Sequence, residues 1–201
     1  MQQPPAPAAA AAPYYFERQV LQRCAVHAAN NLLQRHAFSS NDFSAIASAL
    51  TPPTFFGLLS PHRAPLGLGN YDANVLLRAL CGEGSGRDFR WLDARCARAL
   101  LAPARFPHGA ALLGFLANRP SGGVLGRALG ARHWFAVREI GGAWWELDST
   151  QPAPLRLCGR DEAAERLAAL IDAGGQVVEI WQGGAPPPPY LAPAPSSTTT
   201  V

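Results

Sequence analysis

The 201-residue chain contains no lysine; all 17 of its basic residues are arginine. With 19 glycines, 19 prolines and abundant alanine, a GC-rich coding bias accounts for the missing lysines better than function does. Charge of either sign is sparse at 15%, which excludes a charged disordered chain. Long apolar runs are also missing: no stretch approaches the roughly 18 residues of a membrane helix, and mean hydropathy is near zero. The net charge of +3 comes with scattered arginines, so neither a nucleic-acid nor a membrane partner is expected.

Cysteine is scarce and widely spaced (Cys24, Cys81, Cys96, Cys158), which argues against a disulfide framework. Residues 1–13 are Ala/Pro-rich, with neither a basic n-region nor an apolar h-region of signal-peptide type. The expected compartment is therefore reducing and intracellular, cytoplasmic or nuclear. Residues 1–13 and the Pro/Ser/Thr-rich tail 183–201 are expected to be disordered, because such composition cannot offset its ordering entropy by burying apolar surface. One domain, 14–182, lies between them.

Its first half reads as helical. Ala25, Ala28, Ala29, Leu32 and Leu33 recur at helical spacing from Cys24 towards His36. A second helix follows Ser40 or Asn41 and ends before Pro52, ahead of a Pro/Gly-rich loop over 51–69. A third is predicted over Tyr71–Cys81, capped by Asn70, with Gly82 just past its end. The second half changes period. A strand is predicted over Arg87–Leu92, with short helices near 94–102 and 109–117. Aromatic-rich runs at 133–140 and 143–150 flank Gly141-Gly142, a hairpin signal. A helix near 161–172 and a strand over 176–182 complete an α+β pattern.

Cys24 stands where the first helix begins, and backbone N–H groups there stabilise a thiolate. Downstream, His133 and Asp148 complete the order Cys…His…Asp used by papain-like hydrolases. A symmetric turn about Gly141-Gly142 sets His133 opposite Thr150 and Phe135 opposite Asp148. His133 and Asp148 then become diagonal neighbours on one face, within side-chain reach. Acyl transfer also needs donors for an oxyanion. The Cys24 N–H is one candidate, and a side-chain amide from Gln19 or Gln22 is the other; spacing does not choose between them. Cys24 and His27 look like half a zinc site, but no second close pair exists, so no metal or organic cofactor is expected. His27 is expected to pack or to hydrogen-bond within its helix.

The blocks YFERQVLQRCAVHAANNLLQ (15–34), GNYDANVLLRAL (69–80) and RHWFAVREIGGAWWELDS (132–149) closely resemble the Josephin domain. That resemblance implies a papain-like cysteine-protease fold, with a helical half packed on a small antiparallel sheet. It implies deubiquitinase activity with Cys24 as nucleophile, His133 as general base, Asp148 as third residue and Gln19 as oxyanion donor. The expected reaction is thiol-dependent hydrolysis after the C-terminal Gly-Gly of ubiquitin. The expected partners are ubiquitin and ubiquitinated proteins, with the enzyme a monomer. Some larger members carry Asn at the third position, so Asp148→Asn is expected to retain activity. Trp134, beside the base, is the candidate wall of the substrate channel. The alternatives are a ubiquitin-binding module with little turnover and a papain-like hydrolase acting on another amide.

Overall fold

The protein is described by a computed structural model that covers residues 14–20, 23–50, 71–92, 111–120 and 132–183. The expectations for 1–13, the 51–69 loop, the 94–102 helix and the tail beyond 183 lie outside the described residues. Three helices come first: α1 (Cys24–Leu33), α2 (Ser40–Leu50) and α3 (Ala73–Cys81). α1 stops before His36 because Gln34 takes the left-handed conformation (φ 58°). The Gln34 and Arg35 N–H groups then close on the Asn31 and Asn30 carbonyls, satisfying the helix end. α2 is capped by Ser39, not by Ser40 or Asn41: Asp42 N–H donates to Ser39 Oγ while Asp42 Oδ2 accepts from Ser39 N–H, a reciprocal box. α3 is capped by Asp72, not by Asn70, with Oδ1 accepting from Val75 N–H at 3.1 Å.

The remaining elements are β1 (Arg87–Leu92), β2 (Ala111–Pro120), β3 (Arg132–Ile140), β4 (Ala143–Leu147), β5 (Leu155–Leu157), α4 (Arg160–Asp172) and β6 (Gln176–Gln182). The strands form a six-stranded antiparallel sheet in the order β1-β6-β2-β3-β4-β5. The short helix expected near 109–117 is instead strand β2. β2 pairs with β6 on one side and β3 on the other, and its two faces are covered by different helices. Such a strand needs apolar residues on both faces, and the run LLGFLA has no alternation to betray it.

The sheet divides two cores by simple alternation. Leu116, Trp134, Ala136, Val178 and Ile180 pack with α1, α2 and α3. Phe115, Ala117, Phe135, Val137 and Val177 pack with Ala163, Ala164, Leu167 and Ala168 of α4. α1 presents Ala25, Ala28 and Ala29, and these small side chains let it lie close against the sheet. Directly beneath, β2 bulges at Gly114 (φ 147°), where a Cβ would stand 2.6 Å from Arg138 Cβ and 3.0 Å from Leu32 Cδ1. Arg138 of β3 donates to the Leu32 carbonyl at the C-terminal end of α1, tying that helix to the sheet. The β3–β4 hairpin has the expected register, from Ile140↔Ala143 to Ala136↔Leu147. Gly141 and Gly142 both take positive φ (59° and 77°), as the two-residue turn between twisted strands requires.

Candidate active site

Cys24 is the first residue of α1 and is buried, at 4% exposure. Its N–H belongs to the unpaired donors of a helix start. The first turn holds no acidic side chain, so no carboxylate of the helix itself opposes a negative charge there. His133 lies near the start of β3, beyond the last β3–β4 pair, where the hairpin strands part. Its Nε2 is 2.7 Å from Asp148 Oδ1. Nδ1 is thereby left for Cys24, which lies near enough to favour the charged ring. Burial disfavours the charged imidazole, but the bonds to Asp148 and Cys24 and their charges outweigh it and push His133 up to about 9.

Asp148 is almost fully buried, at 1% exposure. Burial alone would raise its pKa. The bonds from His133 and Thr150 overcome that and hold the carboxyl down to about 2. Thr150 donates both its N–H (2.9 Å) and its hydroxyl (2.7 Å) to Oδ1. Oδ2 receives Nη2 of Arg119 at 2.5 Å. Thr150, expected to face His133 across the hairpin, instead turns back on Asp148. The sequence Asp-Ser-Thr makes an Asx turn, and the ladder gives way to it after Leu147.

The segment carrying Gln19 is held by side chains in place of a neighbouring strand. Gln34 of the α1 cap accepts from Tyr15 N–H at 2.9 Å and donates to Tyr15 O at 3.1 Å. Buried Asn31 does the same for Glu17, at 2.7 and 3.2 Å. Gln19 N–H then donates to the Ser149 carbonyl at 2.9 Å. The Ser149 hydroxyl donates to Gln19 Oε1 at 3.1 Å, which turns the amide so that its NH₂ end is the remaining donor. Gln19 and Asp148 are thus fixed from one three-residue turn. Gln22 lies outside the described residues.

His27 bonds Glu17 through Nδ1 at 2.7 Å, and so not within its own helix as expected. Burial disfavours the charge of Glu17, yet donors from Tyr15, His36, His27 and Asn30 draw it down to about 2. Burial and that carboxylate push Tyr15 up to about 12. Trp134 is buried and lines a cleft of about 330 Å³ with Tyr71, Asn74, Asn118 and Arg132. Burial drives the Cys81 thiol up to about 11, Cys158 is exposed, and Cys96 lies outside the described residues.

The structure therefore brings Cys24, His133 and Asp148 together and anchors Gln19 to the same turn. Sequence reasoning missed Arg119, Ser149 and Thr150. Arg119 was legible only through the β2–β3 register, which sets it opposite His133 and which reading 109–117 as helix conceals.

The Josephin family model matches residues 19–180. The chain is 40% identical over 163 residues to human Josephin-2, covering 80% of this chain and 81% of that one. A Josephin-like protein of Drosophila melanogaster is 34% identical over 165 residues (78% and 68%). One of Arabidopsis thaliana is 36% identical over 161 residues (74% and 42%). With its α+β architecture and these matches over most of its length, the chain belongs to the Josephin family and has the papain-like fold of that family.

Proposed function

We propose that the protein is a thiol-dependent ubiquitinyl hydrolase that cleaves the amide or isopeptide bond after the C-terminal Gly-Gly of ubiquitin. The observation that carries this reading is one set: His133 on Asp148 at 2.7 Å, Gln19 anchored to the adjoining Ser149, and Cys24 at the start of α1 near the His133 ring. Family membership supplies the substrate class.

In the first half-reaction the Cys24 thiolate attacks the scissile carbonyl. The developing oxyanion is met by the Cys24 N–H and the Gln19 NH₂. The His133 imidazolium gives its Nδ1 proton to the leaving amine as the C–N bond breaks, leaving a thioester. In the second, neutral His133 takes a proton from water as its oxygen attacks the thioester carbonyl. The C–S bond then breaks, returning Cys24 as thiolate beside the His133 imidazolium, and ubiquitin leaves as a carboxylic acid that gives its proton to solvent. A Gly-Gly tail suits the chemistry because backbone without Cβ passes between close walls, of which Trp134 is the candidate. The reaction calls on no group beyond these side chains, and intracellular ubiquitin conjugates are its substrates.

Two measurements on purified protein test this: covalent capture by ubiquitin bearing a C-terminal electrophile, and release of a reporter amine from a ubiquitin conjugate. Both are expected, and both are expected to vanish in Cys24→Ala with the fold retained, since Ala is the best helix former. Capture without turnover would leave a ubiquitin-binding module. Neither capture nor turnover, with thiol reactivity intact, would point to a different amide.

A further inference from the structure

Resting on the reading of Cys24 and His133 as the reacting pair, we propose that Arg119 is a positioning residue that commits position 148 of this chain to a carboxylate. Directly opposed residues of an antiparallel pair project to the same face, and Arg119 stands opposite His133. Its guanidinium lies 5.1 Å from the centre of the Phe135 ring, which steers it to Asp148 Oδ2. The two oxygens of Asp148 are thus divided: Oδ1 takes His133 and Thr150, and Oδ2 takes Arg119.

An amide cannot meet both demands. With its oxygen kept on the His133 side, its NH₂ group faces a guanidinium, which has donors only. Flipped, the NH₂ group faces the donors of Thr150 and His133. Position 148 is 1% exposed, so water has little access to relieve either clash. Charge leads to the same conclusion. In the reacting pair of that reading, thiolate, imidazolium, carboxylate and guanidinium form an alternating row with no net charge. Replacing Asp148 by Asn leaves the row one positive charge in excess. Removing Arg119 alone leaves it one negative charge in excess, and removing both restores neutrality. Glu146, also near Arg119, shares Arg166 (3.5 Å) with Glu162 (2.9 Å) and is present in all four proteins of the comparison, so it does not alter the differences between them. Arg119 is itself 39% exposed in its side chain, so its replacement admits water to the Oδ2 side with little packing loss.

The experiment is a double-mutant cycle with Arg119→Gln, Asp148→Asn and the combination, each read two ways. One reading is kcat/KM on a ubiquitin reporter, split into kcat and KM. The other is the rate of Cys24 alkylation by iodoacetamide, which needs no ubiquitin and so remains valid if the substrate assignment fails. Contrary to the retained activity that the Asn of larger family members suggests, the Arg119 contact on Oδ2 makes Asp148→Asn alone expected to cost about 100-fold in kcat, and no more than about 10-fold when Arg119→Gln is already present. KM should hold in both cases, and alkylation rates should follow the same order. Arg119→Lys, which retains a cationic donor, should leave the Asn penalty near its full size. Penalties that agree within about threefold in the Arg119 and Arg119→Gln backgrounds would overturn the proposal. So would a change confined to KM or to thermal stability.

Discussion

The pH profile of hydrolysis offers the most direct test of the pairing at His133. If the imidazolium is the proton donor to the leaving amine, activity must fall as pH rises through its pKa. The structure places that loss near pH 9, where an unperturbed imidazole would give 6.5. Two partners raise the value against burial, and Asp148 supplies the larger share by bond and charge. Asp148→Ala deletes that share while burial and Cys24 remain, so the basic limb should drop by about 1–2 units, into the range of about 7–8. The assay is kcat/KM on a ubiquitin reporter from pH 6 to 10, each protein normalised to its own maximum. A variant whose basic limb stays near 9 would refute the reasoning. The same shift enters folding. A raised histidine pKa stabilises the native state fully below about 6.5, and the contribution is gone above about 9. Asp148, drawn down to about 2, contributes above 3.8 and loses its contribution as pH falls through 2. Together these favour the pH window between about 4 and 6.5 for maximal support from this pair.

Gly114→Ala should lose about 3 kcal/mol of stability, from strain at positive φ and a Cβ with no room beneath α1. A melting temperature within about 2 °C of wild type would show that the bulge relaxes. Asn31→Leu removes both bonds to the Glu17 backbone and should reduce kcat about tenfold through Gln19, with a smaller change in KM; unchanged kcat would show that Ser149 alone holds Gln19. With no lysine side chain, self-modification by ubiquitin should be confined to the N-terminus or to Cys, Ser and Thr, and peptide mapping of ubiquitin remnants would detect any exception.

Much of the site was legible because local rules govern its parts. A Gly-Gly turn fixes the hairpin register, which carries His133 and Asp148 to the same end of the ladder; the Asx turn after Leu147, not the register, completes their approach. The helix start at Cys24 follows from the spacing of small apolar residues. What failed were the places where tertiary partners override local preference. The run Leu112–Ala117 has good helix formers, yet pairing on both edges and burial on both faces make it a strand. Losing β2 also hid Arg119, because a residue can be placed opposite another only when both strands are known. The anchoring of Gln19 depends on Ser149 and on the hold of Asn31 on neighbouring Glu17, contacts that no spacing rule encodes.

The strand order has a consequence for biosynthesis. β6, the last strand described, is an inner member of the sheet, between β1 and β2. Cys24 leaves the ribosome more than a hundred residues before His133, and β6 follows later still. At about 5–20 residues per second, the thiol waits on the order of ten seconds with no base beside it. It waits longer before the strand that braces β2, and through β2 the whole hairpin, is available. The nascent protein is thus expected to be a plain cysteine-bearing chain, with Cys24 and His133 brought together only once synthesis has passed residue 182, the end of β6. Fragments ending short of β6 should carry every residue of the site and none of its reactivity.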